Sequence, residues 1–147
     1  GQQLQQVAKL IKMRNAMNTE RAVFVVQKGG WDTHGSHDLS GLYGDVDSSL
    51  GAFATEMKAQ GAWDDVVILS TSDFGRTLTS NGAGTDHAWG GNHFVAGGSI
   101  RGRQMLGRYP NDLRSQGADI AGRGRGRVIP SSGWESMWYG IMQWYGI

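Results

Sequence analysis

Two short apolar runs rich in β-branched residues constrain this chain most. They are Ala22-Val23-Phe24-Val25-Val26 and Val66-Val67-Ile68-Leu69. Neither alternates apolar with polar residues, so each reads as a strand covered on both faces, the parallel-sheet type. Between them Leu39, Leu42, Val46, Leu50, Phe53 and Met57 mark one apolar stripe at helical spacing, closed by Gly61. Strand, helix, strand is a βαβ unit, and its crossover is expected to be right-handed. The sequence therefore predicts an α/β fold built on a mostly parallel sheet. A chain of 147 residues is long enough for a buried core and is expected to form a single domain, 1–147.

The flanking segments fit the same plan. Leu4, Val7, Leu10, Ile11 and Met17 give residues 3–18 a helical stripe, interrupted by Asn18-Thr19-Glu20. The chain drops into this helix from Gly1, which reads as a piece of something longer. Residues 73–107 are Gly-rich, broken by a short strand at His93-Phe94-Val95-Ala96. Arg127-Val128-Ile129 reads as an edge strand before Pro130, and Ser132-Gly133-Trp134-Glu135 fits a capping box. The helix after it carries Trp134, Met137, Trp138, Ile141, Met142, Trp144 and Tyr145, a face expected to dock on the sheet.

Composition excludes several functions. With no Cys there is no disulfide scaffold, thiolate metal site or Cys nucleophile. No apolar run approaches the ~20 residues of a membrane span, and a net charge of +1 favours neither membrane nor nucleic-acid binding. Charge is uneven, however: residues 101–127 hold seven Arg against Asp112 and Asp119. The Gly-Arg-Gly-Arg-Gly-Arg run at 122–127 is short and lacks interleaved aromatics, so a solvated loop is preferred over a nucleic-acid contact. There is no Gly-x-Ser-x-Gly elbow and no phosphate loop.

The polar residues gather instead at predicted strand ends. All four His lie in two loops, Gly29–Asp38 after the first strand and Gly84–His93, while Ser72-Asp73-Phe74-Gly75-Arg76 follows the second strand. Ligands of open α/β sheets bind outside the carboxyl ends of strands, so Asp32 and Asp73 are expected on one rim, with His34 or His37 beside them. Carboxylates gathered with imidazoles suit a divalent ion of the Zn, Mn, Mg or Ca kind, which removes their mutual repulsion. Plainer roles compete: Asp32 as a turn brace, Asp38 as a helix cap, Trp31 and Trp89 as packing. Arg76 either holds an anionic substrate or pairs with Asp73.

Four motifs in order then resemble one family: Gly29-Gly30-Trp31-Asp32-Thr33-His34, Ser72-Asp73-Phe74-Gly75-Arg76-Thr77, residues 84–95 from Gly84-Thr85-Asp86-His87 to Val95, and Gly124-Arg125-Gly126-Arg127-Val128-Ile129-Pro130. They are similar to the carboxy-terminal part of a bacterial family catalogued as domain of unknown function 1501. That family resembles the alkaline phosphatase and sulfatase superfamily. The resemblance implies a partial domain of a three-layer α/β fold with flanking helices, and a longer, exported parent, periplasmic or extracellular. It implies hydrolysis of a phosphate or sulfate ester at a metal site. Asp32 and His34 match the first ligand pair. Asp73 matches the second, with Phe74 standing where a His is expected. His87 is the best match for the closing ligand and His93 the second, with Asp86 as a further ligand or supporting group, and Arg76 faces the ester. The superfamily's nucleophile has no match here, so the chain alone is expected to turn over little substrate. The alternative is a non-catalytic exported module whose Arg-rich stretch binds a polyanionic glycan or a protein. A truncated sheet would also expose an edge, which makes a homo-oligomer an expectation.

Overall fold

The computed structural model describes residues 1–114, 117–121 and 124–147. It holds three helices and six short strands among the described residues, so the α/β class stands. The residues group into two compact units. One comprises 1–32, 38–67 and 97–99; the other comprises 33–37, 68–96 and 100–147.

The first unit is a helix pair. Helix α1, Gln2–Lys12, packs on α2, Ser40–Ala59. Ala8, Phe53, Met57 and Ala62 form its core, with Met57 fully buried. The stripe that predicted α2 is thus the face that packs. Gln60 Nε2 ties the pair by donating to Ala8 O at 3.1 Å and Glu56 Oε1 at 2.8 Å. The N-cap of α2 is Leu39, without a side-chain cap bond, and Asp38 stands one residue before it: its Oδ1 accepts from Ser40 N–H at 2.9 Å and Ser40 Oγ at 2.6 Å, which holds its carboxyl below the usual range. Helix α1 stops at Lys12, earlier than its apolar stripe; residues 13–18 form turns, and Asn18 takes a φ of 51°, a region Asn tolerates. Trp31 packs edge-on against Tyr43, ring centroids 5.1 Å apart.

Ala22–Val26 departs from expectation. It is not a strand, and Val23 and Val25 are 78% and 82% exposed. A strand exists only with a hydrogen-bonded neighbour, and no described strand pairs with this run.

The paired strands fall in the second unit, except for Val67 and Gly97, which belong to the first. Strands β1, Val67–Leu69, and β4, Val95–Gly97, form one two-stranded sheet. Its end is fastened by Ser70 N–H on Phe94 O at 3.0 Å and by Phe94 N–H on Ser70 Oγ at 2.8 Å. Strands β2, Gly75–Ser80, and β3, Thr85–Ala88, make an antiparallel hairpin, with Arg76 opposite His87 and Ser80 opposite Thr85. Strands β5, Ile120–Ala121, and β6, Arg127–Val128, are also antiparallel. These two pairings differ from a mostly parallel sheet. Residues 73–88 fold back on themselves through a short loop, and a short loop can only join antiparallel strands.

The register shifts between Arg76 and Ser80, and Thr77 repairs the irregularity. Its side chain is 4% exposed; Oγ1 donates to Thr79 O at 2.9 Å and accepts from Asp86 N–H at 3.0 Å. A buried hydroxyl with both roles filled carries no desolvation penalty. β6 and its approach lie beside the hairpin, with Leu78 N–H on Gly126 O at 2.8 Å and Gly90 N–H on Val128 O at 2.9 Å.

Helix α3, Trp134–Tyr145, differs from the sequence reading in two ways. Gly133 precedes it without a side-chain cap bond, so the Ser132–Glu135 capping box does not form. No α3 residue is buried; of the predicted face Trp134, Met137, Ile141 and Tyr145 are half-buried while Trp138, Met142 and Trp144 are exposed, so that face is only partly covered. Trp89 is likewise 64% exposed rather than packed. No described helix is long and apolar enough to cross a membrane.

A histidine cluster at the hairpin

The candidate site lies in the second unit, where the segment Thr33–His37 runs along the tip of the β2–β3 hairpin. Asn81 Nδ2 donates to His34 O at 3.3 Å. Gly84 lets the two backbones close up: a Cβ there would lie 2.6 Å from both the carbonyl carbon and oxygen of His34. Only a residue without a side chain permits this approach.

That placement brings His34 to β3. Its Nε2 lies 3.1 Å from Nε2 of His87, and its Nδ1 lies 3.4 Å from Asp86 Oδ1. Three rings stack in sequence: His34 on His87 with centroids 4.9 Å apart, and His87 on Phe74 with centroids 3.8 Å apart and planes 13° off parallel. Phe74, where the family resemblance led one to expect a ligand, is instead a platform that fixes the plane of His87. Sequence reasoning missed this role, because a stack depends on a tertiary contact.

Asp86 is anchored from three sides. Oδ1 accepts from Asn81 Nδ2 at 3.1 Å and faces His34, and Oδ2 accepts from Arg125 Nη1 at 2.9 Å. The Asn81 bond foremost, then His34 and Arg125, hold its carboxyl below the usual range. His34 thus presents Nδ1 to Asp86 and Nε2 to His87. Carboxylate behind, imidazole in front, is the arrangement that orients metal-ligating histidines.

The donor set fits an ion. Two nitrogens 3.1 Å apart, each at about 2.0–2.1 Å from a Zn-like ion, would subtend roughly 100° at it, between octahedral and tetrahedral values. Among the described residues, both rings belong to a group of donors that could share one ion. Asp32 stands two residues before His34 in the chain and belongs to the first unit.

The other expected site residues fall elsewhere. Asp73 is exposed and does not join the two imidazoles in such a group among the described residues. Arg76 lies opposite His87; Nη1 donates to Thr85 O at 3.0 Å and its guanidinium sits 5.6 Å from the Phe74 ring centroid. His93 packs against Trp134, centroids 4.4 Å apart, and burial pushes its pKa down. His37 Nε2 lies 3.3 Å from Ser80 Oγ. Of the Arg-rich stretch, Arg108 makes a two-bond pair with Asp119, both 2.9 Å, and Arg114 pairs with Asp112; Arg123 lies outside the described residues.

A mixed α/β chain with a His–His–carboxylate cluster on a β-hairpin is the class that the fold and site define. The family model described as "Protein of unknown function (DUF1501)" matches residues 2–117, and the chain belongs to that family. No curated protein and no solved structure matches it.

Proposed function

We propose that this chain carries part of the active site of a metal-dependent hydrolase acting on phosphate or sulfate esters, in an exported protein with a three-layer, alkaline-phosphatase-like parent fold. The observation that carries the reading is the His34–His87 contact with Asp86 behind it. Two imidazole nitrogens at 3.1 Å need either a proton or a cation between them, because their lone pairs otherwise repel. His34 and His87 would supply nitrogen ligands. A bound divalent ion, of the Zn, Mn, Mg or Ca kind, would lower the pKa of a water and polarise the ester. Arg76, across from His87 on the hairpin, would meet the ester's anionic oxygens.

The pairing of Arg108, Arg114 and Arg125 with Asp119, Asp112 and Asp86 favours this reading over a polyanion-binding module, because it neutralises part of the basic stretch. The test is metal analysis of the purified chain, repeated on His34→Ala and His87→Ala. One divalent ion retained by the parent chain and lost in both variants is expected. A folded chain that takes up no Zn, Mn, Mg or Ca sinks the proposal. Ester turnover by the 147-residue chain should be slight, since no residue matches the superfamily's nucleophile.

A further inference from the structure

Arg125 belongs to a run whose alternating glycines the ion-site reading leaves unexplained. Gly124 and Gly126, on either side of it, have φ of 85° and 68°, left-handed values that strain any other residue. Gly126 also lies against β2: a Cβ there would be 3.0 Å from Leu78 Cβ and from Thr79 N, and its carbonyl accepts from Leu78 N–H at 2.8 Å. The two glycines therefore shape a loop that hugs the hairpin. The residue between them projects onto the next strand, where Arg125 Nη1 meets Asp86 Oδ2 at 2.9 Å.

We propose that Arg125 is a positioning residue for the His34–His87 site, acting through Asp86. This rests on the ion-binding reading above. Asn81 and His34 engage Asp86 at Oδ1, and Arg125 engages it at Oδ2, so all three together fix the carboxylate plane. The fixed plane holds the proton of His34 on Nδ1 and leaves Nε2 facing His87. Without Arg125 the carboxylate rotates about its Cβ–Cγ bond, and the His34 ring loses its preferred tautomer and orientation. The Gly-Arg alternation at 124–126 is thus a device for delivering one guanidinium, where the sequence suggested a solvated loop.

The experiment is a Co²⁺ titration of the full chain and of Arg125→Ala and Arg125→Lys, read by visible absorption, with ¹⁵N shifts of the His34 ring recorded before metal is added. Arg125→Ala should bind Co²⁺ about tenfold more weakly and show mixed Nδ1–H and Nε2–H tautomers at His34. Arg125→Lys should recover most of the affinity, and thermal midpoints should stay close to the parent's. Parent-like Co²⁺ affinity and parent-like ¹⁵N shifts in Arg125→Ala overturn the role of Arg125 while leaving the ion site standing. An Arg125→Ala defect that Lys does not relieve, together with a lowered midpoint, shows a merely structural part and overturns it too. A parent chain that binds no Co²⁺ overturns the ion-site reading, and the His34 tautomer in Arg125→Ala then decides the positioning role by itself.

Discussion

Gly84→Ala isolates the contact on which the cluster depends. The added Cβ would lie 2.6 Å from the carbonyl carbon and oxygen of His34. A relaxed carbon–oxygen contact is about 3.3 Å, so the His34 segment must retreat from the hairpin by about 0.7 Å. Such overpacking costs about 1–3 kcal/mol. The loss of glycine's freedom in the unfolded chain returns about 0.4–1 kcal/mol, so net destabilisation is about 1–2 kcal/mol. The retreat also lengthens two marginal contacts, His34 Nδ1–Asp86 at 3.4 Å and Asn81 Nδ2–His34 O at 3.3 Å, beyond bonding range. Ion affinity should therefore fall by about tenfold or more. Urea unfolding followed by circular dichroism reads the first effect, and Co²⁺ titration the second. Gly102→Ala is the control, because a Cβ there meets nothing within 4 Å. Should Gly84→Ala unfold at the parent's urea midpoint and bind Co²⁺ as the parent does, the hairpin tip does not hold His34, and the site as described is wrong.

Other outcomes follow from the same geometry. Thr77→Val removes a buried hydroxyl that serves Asp86 N–H and Thr79 O, and should lower stability by roughly 2–4 kcal/mol, measured by urea denaturation. Phe74→Leu removes the face of the His87 stack; an aromatic pair contributes about 0.5–1.5 kcal/mol, so Co²⁺ affinity should drop about two- to tenfold with little change in fold. His93 has a pKa lowered by burial, so the unfolded chain binds its proton more readily. Stability from this group is fully present above its unfolded pKa near 6.5 and is lost as pH falls below that value and through the lower folded pKa. Urea midpoints should thus decline between pH 7 and 5, and less steeply in His93→Gln. Asp86 has a lowered pKa, so its contribution is present above about pH 4 and disappears on further acidification; Asp86→Asn should flatten that acid limb of a pH-dependent melt.

The local pattern of the chain determined its helices and several strands. Phe53 and Met57 sit on the stripe that predicts α2, and they are the buried face of that helix. Val67–Leu69 and Arg127–Val128 are strands where apolar β-branched residues said so. The β2–β3 hairpin was hidden by polar, Gly-rich composition, although Asn81-Gly82 between Thr-containing runs was a usable hairpin signal. Ala22–Val26 failed in the other direction: propensity favours a strand, but pairing needs a neighbour that propensity does not provide. Residue chemistry at the strand ends pointed to His34 as a candidate ligand, and the family resemblance added His87 and Asp86. Tertiary structure alone decided that His34 turns one nitrogen to each of the other two, that Phe74 is a platform, that Asp73 and His93 stand apart from the imidazole pair, and that Arg125 anchors Asp86. Residue type fixes which chemistry a side chain can offer. Which partners it meets depends on backbone approach, such as that allowed at Gly84 and Gly126, between segments far apart in the chain.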